Sequence, residues 1–156
     1  MRLGEALARR ADLQKRIAQL TGRLQASDVV QEGDAPPEDP GALLRDLGEM
    51  SAELERLIAA INLTNAASRV DGDRTVTELL AQRDVLALRQ GVLRSAADAV
   101  AQASARYSRS EIRLTRQIDV AAVRREIDDL ARQLRELDTE IQEHNWTTDL
   151  REDGSR

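Results

Sequence analysis

Apolar residues recur along this chain at alternating steps of three and four, the spacing of a helix with one buried face. Leu3, Ala6, Leu13, Ile17, Leu20 and Leu24 predict a first helix over 3–24, with Arg10 interrupting its stripe. Leu43, Leu47, Met50, Leu54, Leu57 and Ile61 predict a second over 40–65, ended by Asn65 and an Asp71-Gly72 turn. Asp39 is placed to cap it, with Pro40 at the first helical position.

The third helix is read over 76–106. Leu79, Leu86, Leu93 and Val100 recur every seventh residue, and a neighbouring stripe holds Val85, Leu88, Val92, Ala96 and Ala99. Two adjacent stripes make a wide apolar face, which predicts contact with more than one partner helix. Thr75 or Thr77 can cap this helix, and Thr75 with Glu78 has capping-box spacing. The fourth helix, over 120–144 and capped by Asp119, carries the strongest coiled-coil pattern: Val120, Val123, Ile127, Leu130, Leu134, Leu137 and Ile141. At about 1.5 Å per residue these helices span roughly 33–46 Å.

Two segments break the helical period. Residues 27–39 carry Pro36-Pro37, Asp28, Glu32, Asp34, Glu38 and Asp39 and no basic residue. In 107–118, Ile112, Leu114 and Ile118 alternate with polar residues, which is strand periodicity. A short two-stranded element pairing about 28–32 with 111–118 is the expectation. The fold class is therefore mainly α: an elongated bundle of four long helices with coiled-coil-like packing. Residues 1–150 read as one helical domain and 151–156 as a flexible C-terminal tail.

Composition narrows the function classes. Of 156 residues, 41% are hydrophobic and 33% charged, but only 1% are aromatic: one Trp, one Tyr and no Phe. Few aromatics argue against a β-sandwich core and against a base-stacking platform for single-stranded nucleic acid. The net charge of −5 gives no electrostatic reason to bind nucleic acid or an anionic membrane. Lys15 is the single lysine among 23 basic residues, the usage of a GC-rich genome. No Cys is present, which excludes disulfides and thiolate chemistry. No apolar run approaches the ~18 residues of a membrane span. The least charged stretch, 95–105, is mostly Ala and Ser and contains Asp98. The N-terminus shows no signal-peptide pattern, so the expected compartment is the cytoplasm.

Candidate chemistry is sparse. A Ser-His-Asp triad would have to use His144, the one histidine, and no glycine-rich phosphate loop occurs. No catalytic residue, cofactor site or metal site is assigned, and the chain is expected not to be an enzyme. His144 follows Glu140 by one turn; it reads as a packed helix-end histidine, with a metal at a symmetric interface as the other reading. Asn62, Thr64 and Asn65 stand where apolar residues would be expected, as caps or as a ligand pocket. Arg83, Arg89 and Gln90 lie near the apolar face of the third helix, where their stems can pack with the heads at the surface. Arg106, Arg109, Arg113 and Arg116 form a local basic cluster, for protein carboxylates or for an anion. Tyr107 and Trp146 fall just outside helices, and Trp146 is expected to anchor the tail on the bundle or on a neighbouring subunit.

Four runs carry a resemblance: Val30-Gln-Glu-Gly-Asp-Ala-Pro-Pro-Glu-Asp-Pro40, Ile61-Asn-Leu-Thr-Asn65, Arg106-Tyr-Ser-Arg-Ser-Glu-Ile112 and Asn145-Trp-Thr-Thr148. With them the chain resembles a septicolysin-like family of small bacterial proteins. The resemblance implies a compact helical protein, and its label implies a cytolysin. No family residues with assigned chemistry carry over.

The leading expectation is a cytoplasmic, homo-oligomeric helical interaction or scaffold protein, since thin helical chains gain buried surface by association. One alternative is a pore-forming or membrane-active protein. The other is a small-ligand or metal binder with an intersubunit site built from Asn62, Asn65, Arg83, Arg106, Tyr107, Arg109, Arg113, Arg116 and Trp146. The expected partner is a further copy of the chain, with no nucleic acid and no membrane.

Overall fold

The computed structural model describes residues 1–107 and 117–151, with 103–107 described by their backbone alone. Four helices carry most of the chain: α1 (Leu3–Asp28), α2 (Pro40–Ala67), α3 (Val76–Tyr107) and α4 (Val120–Thr147). Between α2 and α3 lies an antiparallel hairpin of β1 (Arg69–Val70) and β2 (Arg74–Thr75), with Arg69 opposite Thr75 and Val70 opposite Arg74. The mainly-α class read from the apolar spacing is the observed one.

The helix starts follow the predicted caps. Asp39 accepts from the backbone N–H groups of Gly41 (2.9 Å) and Ala42 (3.2 Å), with Pro40 opening α2. Thr75 and Glu78 form the reciprocal box at the start of α3: the Thr75 N–H donates to Glu78 (2.7 Å) and the Glu78 N–H donates to Thr75 Oγ1 (3.2 Å). Asp119 accepts from Ala121 and Ala122 at the start of α4.

The helix ends run later than predicted. Gln25, Ala26, Ser27 and Asp28 are polar or small, yet none of them breaks a helix, so α1 continues through them with Ser27 buried. Likewise α4 continues through Asn145, Trp146 and Thr147. Tyr107 and Trp146 therefore lie in the last turns of α3 and α4, not beyond them.

The two-stranded element also differs from its predicted place. Val29, Val30 and Gln31 belong to no strand, and Asp28 ends α1. Residues 111–116 of the expected second strand lie outside the described residues. The observed hairpin is built by the Asp71-Gly72 pair, both at positive φ (60° and 77°), with the Asp73 N–H closing back to the Val70 carbonyl. Successive positive φ values turn a chain tightly enough to pair the residues on either side.

The chain divides into two compact units. The first comprises Met1–Ser68 and the chain from His144 onward; the second is Arg69–Glu143. In the first, α1 and α2 run antiparallel: Arg9 pairs with Glu53, and Arg23 farther along α1 pairs with Glu38 earlier in the chain. The core there is Leu3, Ala6, Leu13, Leu57 and Ile61, flanked by Leu7, Met50, Leu54 and Leu150. Arg10, which interrupts the stripe of α1, is half-buried, and its Nε has no hydrogen-bond partner among the described residues. In the second unit, α3 runs antiparallel to residues 120–143 of α4. Arg74 meets Glu140 near one end, and Arg89 meets Glu126 farther along. Val70, Val76, Leu79, Leu137 and Ile141 form its core.

Candidate functional site

Helix α3 carries two apolar stripes with different fates. Leu79 is fully buried and Leu86 and Leu93 are half-buried, so the first stripe is packed. The second stripe starts about a third of a turn away around the helix. Its Val85, Leu88 and Val92 are 64%, 69% and 61% exposed. Ala81 and Ala99 extend it in the exposed state, and Ala96 is half-buried. The wide face read from the sequence is thus covered along one edge and open along the other. Asp84 and Arg89 flank the open edge; Asp84 pairs with Arg83 (2.8 Å), and Arg89 reaches Glu126 of α4. Gln90 donates to the Ile127 carbonyl at 3.2 Å, so α3 holds α4 through polar stems at the margin of the packed stripe.

In the first unit, hydrogen bonds join residues 148–151 to the start of α1 and to Thr64 near the end of α2. The Leu3 N–H donates to the Thr148 carbonyl, and the Leu150 N–H donates to the Met1 carbonyl, each at 2.9 Å. Arg2 and Asp149 form an isolated antiparallel bridge, closed by their ion pair (3.1 Å). Thr64, wholly buried, donates to the Ala60 carbonyl (2.7 Å) and accepts the Arg151 N–H (2.9 Å). The Thr148 hydroxyl lies 2.8 Å from His144 Nε2, and burial pushes the His144 imidazole below its ordinary pKa. Glu5 accepts the Arg2 N–H at the start of α1. These bonds clasp the N-terminus, the end of α2 and the C-terminal residues into one polar knot.

Trp146 completes the clasp. Its indole lies over Gly4, where an added Cβ would meet Cδ2 and Cε3 at 2.9 Å. Glycine is therefore required by close approach, and the indole rests on the first turn of α1 within the first unit. Gly4→Ala is expected to displace the ring. Overpacking of about 1–3 kcal/mol opposes a helix-propensity gain of about 1 kcal/mol, leaving a net loss of up to about 2 kcal/mol. Since Trp146 is the one tryptophan, its fluorescence reports directly on the clasp. Acrylamide quenching should rise in the variant; unchanged quenching would show that the ring does not rest on Gly4.

The hairpin is tied to α4 by Arg74, which bonds Asp71 (2.9 Å) and Glu140 (3.1 Å). The Arg74 hydrogen bond holds Asp71 below its ordinary pKa, while burial pushes Glu140 up. Sequence reading missed this triad. Its one local signal is the Asp71-Gly72 turn, and Glu140 is far away in the chain.

Of the predicted site residues, Asn62, Asn65 and Trp146 belong to the first unit and Arg83, Arg106 and Tyr107 to the second. Asn62 is exposed and Asn65 half-buried at the end of α2 in the first unit. Arg83 belongs to the second unit and is paired with Asp84. Arg106 and Tyr107 close α3, with only their backbone described, and Arg109, Arg113 and Arg116 lie outside the described residues. An open groove of about 750 Å³ in the first unit is lined by Met1, Arg9, Glu53, Arg56, Leu57 and Leu150, among others. Among the described residues no group of three or more His, Asp or Glu is placed to hold a metal. No described helix is long and apolar enough to cross a membrane.

Antiparallel helix pairs, a tight hairpin, a terminal clasp and one open apolar helix edge define a small, mainly-α protein. Residues 10–150 match the model of the family of unknown function DUF6847, and the chain belongs to that family. It is also similar to a functionally unknown conserved protein from Corynebacterium diphtheriae known from its crystal structure. The two chains are 36% identical with a TM-score of 0.91, and the match covers 97% of this chain and 99% of the other. Comparison with curated proteins gives no match.

Proposed function

We propose that this chain is a helical interaction or scaffold protein that works as a homo-oligomer and carries no reaction of its own. The observation behind the reading is the open edge of α3. Val85, Leu88 and Val92 are three large aliphatic side chains in line, each more than half exposed. Single exposed aliphatics are ordinary, but a contiguous apolar strip rimmed by charges marks a surface that another molecule covers. The terminal clasp supports the same reading, because the Thr64 hydroxyl and the Thr148 carbonyl are taken up in holding the chain ends.

The reading is tested by mass in solution. Sedimentation velocity from about 1 to 100 μM should give a mass that rises from 17.3 kDa towards a multiple of it. Leu88→Glu should return the monomer mass while leaving the circular dichroism spectrum intact. A wild-type chain that stays monomeric through this range would end the proposal.

A further inference from the structure

The open edge of α3 has a heptad grammar that selects one partner. Val85 and Val92 are seven residues apart and take the a positions; Leu88 between them takes d, with Ala81 one heptad earlier. This frame puts Asp84 at g and Arg89 at the following e. In parallel coiled coils, β-branched residues at a with leucine at d favour two strands, and the charges at e and g set partner orientation. In a parallel pair, Asp84 of one copy faces Arg89 of the other, and symmetry makes the contact twice. In an antiparallel pair, e faces e and g faces g, which would bring two Arg89 side chains together near the axis. We propose that α3 docks in parallel on the α3 of a second copy through Val85, Leu88 and Val92, with Asp84 and Arg89 pairing across the seam. This rests on the homo-oligomer reading above and deepens it by naming the partner face and its direction.

The magnitudes agree with such a pair. The three exposed aliphatics offer roughly 300 Å² of apolar surface per copy, on the order of 100 Å² each. With Ala81, Ala96, Ala99 and the flanking stems, two copies would remove about 1,000 Å² from water, the low end of a specific interface. An interface of this size belongs with weak or transient complexes. Arg89 already contacts Glu126 within its own chain. A guanidinium with five donors can keep that bond and take Asp84 of the second copy as well.

The chain has no cysteine, so single cysteines give an unambiguous readout. Val85→Cys and Val92→Cys are each oxidised alone and then as an equimolar mixture, after circular dichroism shows that the reduced variants are folded. Parallel pairing predicts a disulfide dimer from each variant alone and little mixed 85-to-92 product. Asp84→Arg should weaken the wild-type dimer by roughly tenfold, and adding Arg89→Asp should recover most of the loss. If the wild type is oligomeric but only the 85-to-92 product forms, parallel docking is wrong while the oligomer reading stands. An oligomer in which neither position cross-links puts the interface elsewhere and has the same consequence. A chain that stays monomeric up to about 100 μM removes both. Protection of a Leu88→Cys thiol from maleimide by lipid vesicles, but not by rising protein concentration, would assign this face to a membrane and overturn the pairing.

Discussion

Leu79→Ala is expected to destabilise the chain by about 2–5 kcal/mol, whereas Leu88→Ala, nine residues further along the same helix, should change monomer stability by no more than about 0.5 kcal/mol. The sequence gives no warning of this difference, since both leucines lie on apolar stripes of α3. Leu79 is fully buried among Val70, Val76, Leu137 and Ile141, so truncation loses its transfer free energy and leaves a cavity. It also sits just after the hairpin, and the cavity would open where β1, α3 and α4 are held together. Leu88 is 69% exposed and leaves no void when shortened. Urea unfolding at a concentration below the dimer transition measures both. A loss at Leu88 comparable with that at Leu79 would mean that the second stripe is covered within the monomer, and the self-docking proposal would fall with it.

The second large effect belongs to the clasp. Thr64→Val keeps the shape of a fully buried side chain but removes the oxygen that accepts the Arg151 N–H. Leaving a partly buried donor without a partner costs about 1–3 kcal/mol. The loss should spread along the bonds that join the chain ends. Amide exchange should quicken at Arg151 first, then at Leu150 and Leu3, whose N–H groups bond Met1 and Thr148. Thr64→Ser keeps the hydroxyl and should retain slow exchange at Arg151. If Thr64→Val left these amides as slow as in the wild type, the clasp would be held by the Arg2–Asp149 bridge and the main-chain bonds alone.

The clasp gives a physical account of residues that otherwise look misplaced. Thr64 occupies the position on α2 where Leu57 and Ile61 predict another aliphatic. A hydroxyl is tolerated there because both its hydrogen-bonding roles are filled, one by Ala60 and one by Arg151. Asn62 and Trp146 carried the expectation of a ligand or interface site. In the structure Asn62 faces solvent, and Trp146 lies over Gly4 while remaining 58% exposed. Gly4 had no signal in the sequence, since its requirement comes from an indole more than a hundred residues away.

What the sequence determined by itself was local. The three-and-four spacing placed all four helices, and Asp39, Thr75 with Glu78, and Asp119 placed the starts of α2, α3 and α4, because a cap and the N–H groups it satisfies lie within three residues. The helix ends were less legible, since polar residues such as Ser27 and Asn145 neither require nor forbid another turn. Tertiary structure alone decided which stripe of α3 is packed, which residues form the sheet, and that Thr64 meets Arg151. The reason is one of range. Periodicity states that a face is apolar but not what covers it, and no hydrogen bond between residues eighty-seven apart, as between Arg151 and Thr64, leaves a trace in the spacing of either segment.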